Sequence, residues 1–388
     1  MVYYCPEKET IVLYFPKPLH KGRANLTINF SGNLTEMSLS GFYKSQTAAD
    51  PLHQITTTDF GPTDARRHFP CFDEAHFRAV FDMYLIVPRG YQALFNAPSN
   101  RRRPYSADSE EVRFESTPPL APFQLATVVG PKFSVARLNN ETTHLSNETS
   151  SNKVSISVYS PRKPVQEEEE EEKEEQNQEE EAWHYALDTT EELLTFFRYY
   201  FDRPFPLSKL DLVALPNYEQ ASIEKLGLMI FSDQQLLIAN QSTASEEELQ
   251  SVASTISHAL AHQWLGSGLV TFRRWTDFWL FEALATLMEK DSLQSLFPHW
   301  RVWERFTGSE LRRGLQADAS RLTVPLDRLI SHPNDILSAV AYSKENAYFK
   351  AVSLLRMLRS AIGEEVKDVK LIKRHHFLSS FLSKCFTY

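Results

Sequence analysis

The chain has 388 residues, 42% of them hydrophobic, enough to bury a large core and to form two domains. Its formal net charge is −9, yet eleven glutamates and one lysine between Glu167 and Glu181 carry −10, so the remainder stands near +1. That balance leaves no basic patch for nucleic acid, no apolar run reaches the ~18 residues of a membrane span, and three cysteines (Cys5, Cys71, Cys385) cannot build a disulfide framework.

Residues 1–160 carry short runs rich in β-branched and aromatic side chains. Thr10 to Phe15, Ala24 to Phe30 and Ala79 to Val87 are three such runs, separated by Pro, Gly and Asn. They predict an all-β saddle or sandwich. The polyglutamate run repels itself and has no apolar face, so residues 161–182 are expected to form an acidic, disordered loop. From Trp183 onward the period changes. Ala186 to Tyr200 fits an amphipathic helix with Leu187, Leu193, Leu194 and Phe197 on its apolar side. Lys209 to Leu215 reads as a strand, followed by a turn at Pro216-Asn217. Helical patterns then dominate over 246–264, 276–290 and 349–362. The expected fold class is α+β, with a β domain over 1–160 and a mostly helical domain with a small sheet over 183–388.

N-x-S/T triplets, among them those at Asn25, Asn33, Asn140, Asn147 and Asn240, favour a secretory lineage. Against that, Met1-Val2-Tyr3-Tyr4-Cys5-Pro6 has neither the basic n-region nor the apolar h-region of a signal peptide.

The chemistry concentrates in His258-Ala259-Leu260-Ala261-His262 and in Glu282. Histidines four apart share one helix face, and a carboxylate on the next helix completes a three-ligand zinc set with the fourth position open. One zinc ion is expected. In the motif H-E-x-x-H the second residue is the glutamate that takes a proton from the attacking water. Here that residue is Ala259.

Several blocks resemble, in order, the zinc aminopeptidases of the aminopeptidase N type, the gluzincin aminopeptidases. Gly61 to Glu74, GPTDARRHFPCFDE, is similar to the family's EPTDARRAFPCFDEP. Leu210 to Pro216, LDLVALP, resembles the strand leading into its G-A-M-E-N motif, and Trp275 to Ala285 resembles its WNDLWLNEGFA. The resemblance covers nearly all of residues 1–365. It implies a β-saddle followed by a thermolysin-like peptidase domain, truncated because the family's C-terminal domains are absent.

By position the resemblance makes His258, His262 and Glu282 the zinc ligands, although nineteen residues separate His262 from Glu282, one more than in the family. The extra residue falls in Gly266-Ser267-Gly268, a turn able to absorb it. Ala221 to Leu228 occupies the G-A-M-E-N-W-G-L position. Glu224 is retained there for a peptide's α-amine, but Lys225 replaces the asparagine and sets a cation beside that pocket. Asp59 stands where the family has glutamine. For the tyrosine that donates to the oxyanion, Tyr342-Ser343-Lys344 mimics the family's Y-S-K-G, while Tyr348 keeps the register of the following helix. Tyr348 is preferred.

The expected function is therefore an impaired peptidase homologue that binds peptides with a free N-terminus or a related aminopeptidase chain. The alternative is a weakly active zinc aminopeptidase. The resemblance and the glycosylation triplets together suggest an extracellular or plasma-membrane-associated setting.

Overall fold

In the computed structural model the described residues are 2–34, 39–45, 54–131, 133–138, 153–161, 169–216, 218, 220–266, 271–320 and 347–362, with isolated positions between 323 and 340. The side chains at 8, 169–181, 347 and 348 lie outside that description. The architecture is α+β, a β-rich N-terminal part followed by a mostly helical part.

The first part begins with an exposed hairpin, β1 (Val2–Cys5) and β2 (Thr10–Leu13). A four-stranded antiparallel sheet follows, built from β3 (Gly41–Ser45), β4 (Ile55–Asp59), β6 (Gln92–Phe95) and β9 (Thr127–Gly130) in the order β3-β4-β9-β6. A three-stranded sheet holds β5 (Tyr84–Pro88), β8 (Ser109–Phe114) and β7 (Ser99–Pro104). The three expected strands are shorter than their runs or absent, β2 itself ending at Leu13 rather than Phe15. Ala24 to Phe30 is exposed and joins no ladder among the described residues, because alternation alone does not make a strand without a partner to accept its hydrogen bonds. The Ala79 run becomes a strand only at Tyr84, with Ala79 forming an isolated bridge to Leu120.

A mixed five-stranded sheet joins the two parts. Its order is β10 (Phe133–Arg137), β11 (Ser155–Pro161), β12 (Lys209–Leu215), β14 (Leu228–Ser232) and β13 (Ser222–Lys225). Its first two strands come from before residue 161, so the sheet runs across the boundary expected near 160. β12 pairs in parallel with both neighbours and is buried along its whole length, as a central parallel strand covered on both faces must be. Its alternation assigns the layers. Leu210, Leu212 and Ala214 join the helical core, whereas Val213 and Leu215 join a second core with Tyr43, Ile55 and Val128 of the four-stranded sheet.

On the helical side, α1 (Glu169–Phe201) contributes Trp183, Leu187, Leu193, Leu194, Phe197 and Phe201 to the core. The acidic stretch from Glu169 is thus the opening turns of this helix, not the disordered loop expected over 161–182; residues 162–168 lie outside the described residues. Glutamate is a good helix former. Once packing of the later turns has nucleated the helix, each further residue adds only propagation. α2 (Glu246–Trp264) starts at Ser245, whose Oγ accepts the Glu248 N–H at 3.2 Å while the Glu248 carboxylate accepts the Ser245 N–H at 2.8 Å, a reciprocal cap that sets the first turn. α3 (Phe278–Leu296) packs against it. No helix among the described residues is long and apolar enough to cross a membrane.

A buried polar network fixes the turn between β13 and β14 against both parts of the molecule. The Lys209 ammonium donates to the carbonyls of Phe95 (2.6 Å) and Gly227 (2.9 Å) and to Asp211 (2.7 Å), which uses its three donors. Asn96 donates to the carbonyl of Leu226 at 2.8 Å. Gly227 has a φ of +73°, and a Cβ there would lie 2.4 Å from the Asn96 carbonyl oxygen, so only glycine fits.

Candidate metal centre

His258 and His262 lie one turn apart near the end of α2, and Glu282 lies in the first half of α3. All three are buried, at 6%, 9% and 4% exposure. The crossing of the two helices turns their donor atoms toward one point. His258 Nε2 and His262 Nε2 are 3.2 Å apart, His262 Nε2 is 3.5 Å from Glu282 Oε1, and His258 Nε2 is 3.7 Å from Glu282 Oε2.

Those distances test the fit to a metal. Tetrahedral zinc with bonds of about 2.0–2.1 Å requires neighbouring ligand atoms about 3.3 Å apart. Two imidazole nitrogens at that spacing, each with a different oxygen of the Glu282 carboxylate 3.5–3.7 Å away, match zinc in donor type and approach it in size. The extra residue between His262 and Glu282 does not displace the carboxylate. α2 ends at Trp264, Gly266 takes a φ of +92°, and α3 still delivers Glu282 to the histidines. Residues 267–270 of that connection lie outside the described residues.

Behind the histidines stands Glu289, which the sequence pattern did not single out. Its Oε2 lies 3.2 Å from His258 Nδ1, and it also receives Ser254 Oγ and Lys290 Nζ. A proton on Nδ1 shared with Glu289 leaves the Nε2 lone pair facing the centre, the arrangement that orients metal-binding imidazoles. Burial opposes charge on His258, yet the hydrogen bonds it donates to Glu282 and Glu289 outweigh it and lift its pKa to about 10. Burial likewise opposes charge on Glu289, but Lys290 and His258 hold its carboxyl down at about 2. The cage favours positive charge at its centre. Glu289 lies seven residues after Glu282, on the same face of α3, and that periodicity was the available signal. Substituting Glu289→Gln is expected to weaken zinc binding by about 10–100-fold, read by titration against a competing chelator. Unchanged affinity would remove Glu289 from the site.

Ala259 is fully buried and packs in the helical core, so the position of the usual base presents only a methyl group. A cavity of about 110 Å3 opens beside the second histidine, and His262, Glu282, Glu224 and Lys225 line it together with Phe123, Phe272, Phe278 and Phe281. β13 brings Glu224 and Lys225 there. Glu224 Oε1 accepts from Ser222 Oγ at 2.5 Å, and the Lys225 ammonium lies 5.5 Å from the centroid of the Phe123 ring. Asp59 is not among the lining residues. Its carboxylate accepts the Gly61 N–H at 2.8 Å and the Gln220 amide at 2.5 Å, while Gly61 and Pro62 reach the cavity wall in its place. The backbone of Tyr348 belongs to the helical turn Ala347–Ala351; its side chain, and all of Tyr342, lie outside the described residues.

Gln263, next to the second histidine, ties the metal helix to the strand that carries Lys225. Its amide donates to the Lys225 carbonyl at 3.2 Å and its oxygen accepts the Gly227 N–H at 2.9 Å. No spacing rule points to it, because its partners are nearly forty residues away.

Comparison with known proteins gives the same picture. The model of the peptidase family M1 domain matches residues 185–384, and that of the peptidase M1 N-terminal domain matches residues 2–123. Aminopeptidase M1-C of Oryza sativa subsp. japonica is 33% identical over 363 residues, which cover 92% of this chain and 37% of that protein. Aminopeptidase M1 of Arabidopsis thaliana is 31% identical over 378 residues (96% and 39%), and Aminopeptidase 2 of Candida albicans is 31% identical over 364 (92% and 36%). The chain thus spans less than two fifths of the length of these relatives. Ordered motifs, a β-rich part before a helical one, and a His-His-Glu cage of zinc dimensions converge with these matches: the chain belongs to peptidase family M1.

Proposed function

We propose that this chain is a zinc-holding M1 homologue that binds peptides beside the metal and does not cleave them at aminopeptidase rates. One observation carries the reading: a complete ligand cage at His258, His262 and Glu282 stands next to a buried methyl group, Ala259, where the proton acceptor belongs. Zinc bound there would supply Lewis-acid polarisation of a carbonyl oxygen. The chain's own residues supply the rest. The aromatic wall of Phe272, Phe278 and Phe281 takes apolar side chains and excludes water, and Glu224 and Lys225 orient the polar end of the ligand. A related aminopeptidase chain is the other partner consistent with this reading. Asn25, Asn33 and Asn240 are exposed, which supports an extracellular or membrane-associated setting.

The test is hydrolysis. Purified chain with added zinc is expected to turn over alanyl, leucyl and glutamyl chromogenic substrates no faster than a zinc-free control. Chelator-sensitive turnover that co-purifies with the folded chain would select the second reading, a slow metalloaminopeptidase. That alternative draws its support from Glu224, a carboxylate in the same cavity as His262.

A further inference from the structure

The cavity beside the metal cage contains a cation that an amine-binding pocket has no use for. We infer that this cavity is a carboxylate site, in which Lys225 receives the free α-carboxylate of a bound peptide. The inference rests on the reading of the cavity as a peptide site and names the end of the peptide that it selects.

Three features of the wall support it. The first is the placement of the charge. Lys225 sits at the end of β13, paired in register with Leu228, with its carbonyl held by Gln263 and the following Gly227 N–H held by the same side chain. Its ammonium rests over the Phe123 ring, which is itself fixed against Phe272 and Trp275 at centroid distances of 5.7 and 5.3 Å. A lysine head on an aromatic platform is a placed charge rather than a roaming one.

The second feature is how the acidic groups are engaged. An ammonium ligand needs acceptors, and Glu224 Oε1 already accepts a 2.5 Å hydrogen bond from Ser222. Asp59 is turned away into bonds with Gly61 and Gln220. The third is local position: an ammonium that approaches the Phe123 face of the wall meets the like charge of Lys225 there. A carboxylate meets a donor of opposite charge in a half-dry wall, where charge-assisted hydrogen bonds are at their strongest.

Three probes separate the outcomes on the folded, zinc-loaded full chain, by calorimetric titration. They are N-acetyl-Ala-Phe (a free α-carboxylate and no amine), N-acetyl-Glu-Phe-amide (a side-chain carboxylate only) and Ala-Phe-amide (an amine and no carboxylate). The first is expected to bind at least about tenfold more tightly than the third, because the acid accepts a charge-assisted hydrogen bond from Lys225 where the amine is repelled by it. Lys225→Asn is expected to erase that preference with zinc content and circular dichroism unchanged, and Lys225→Arg to keep it. If the glutamyl amide binds as tightly as the free acid, the carboxylate site stands and its natural source is an acidic side chain. The inference is overturned if Ala-Phe-amide binds as well as the acid, or if the preference survives Lys225→Asn, which would mean that the carboxylate is held elsewhere. Should none of the three bind, the peptide reading falls with it.

Discussion

Purified, folded chain is expected to carry about one zinc ion, and His262→Ala is expected to lose it, as a three-ligand site with one ligand removed should. The cage argues for a full site rather than a remnant. Its nitrogen–nitrogen edge of 3.2 Å and nitrogen–oxygen edges of 3.5 and 3.7 Å already have the proportions of zinc coordination. Glu289 orients His258 from behind, and the missing base, Ala259, is not a ligand. Elemental analysis of wild type and variant measures the stoichiometry. Thermal unfolding gives a second readout, because a metal bound only by the folded state stabilises it by about 4 kcal/mol at a thousand times its dissociation constant. Added zinc should raise the melting temperature of the wild type and leave that of His262→Ala where it was. A metal content near zero in folded wild-type protein would show that the lengthened connection before α3 has spoiled the site after all.

Restoring the base by itself is expected to give a poor enzyme. A general base is worth on the order of 10²–10⁴-fold, so Ala259→Glu would restore much of the rate if the base were the single defect. Two features of the structure argue otherwise. Ala259 is fully buried in the helical core, so a glutamate there must be accommodated among packed neighbours, at the cost of an overpacked site. The substrate's ammonium would also still meet Lys225, and the advantage of proximity is lost when the amine is not anchored. Ala259→Glu is therefore expected to raise kcat/KM for an aminoacyl substrate by less than about tenfold, well short of the general-base range. Adding Lys225→Asn should raise it by about tenfold more, as relief of one like-charge repulsion predicts. Aminopeptidase-like rates from Ala259→Glu alone would show that Lys225 is harmless. A double variant that binds zinc and stays silent would place the defect elsewhere in the chain.

Much of the candidate site was legible because helices write their faces into the sequence. The i, i+4 spacing of His258 and His262 and the helical pattern over 246–264 located α2 with no tertiary information. The run Lys209 to Leu215 marked a strand, and the structure places β12 there. The errors came where a local pattern needed a partner, or where one signal outweighed another. Ala24 to Phe30 alternates like a strand and pairs with nothing among the described residues. The glutamates from Glu169 repel one another, yet they continue a helix already anchored by Trp183 and Leu187.

What the sequence by itself determined is the candidate ligand set, an alanine at 259 where the H-E-x-x-H motif has glutamate, and the order of β-rich and helical parts, since each is carried by residue type and by spacing. What only the tertiary structure decided is which distant groups meet. The α2–α3 crossing brought Glu289 to His258 and held Glu282 in place despite the added residue. Gln263 and Asn96 locked the β13–β14 turn across gaps of 36 and 130 residues. The same packing put Lys225 into the cavity wall and left Asp59 out of it. Such meetings depend on the angles at which elements pack, and those angles are set by the volume and shape of many side chains at once, which no short stretch of sequence records.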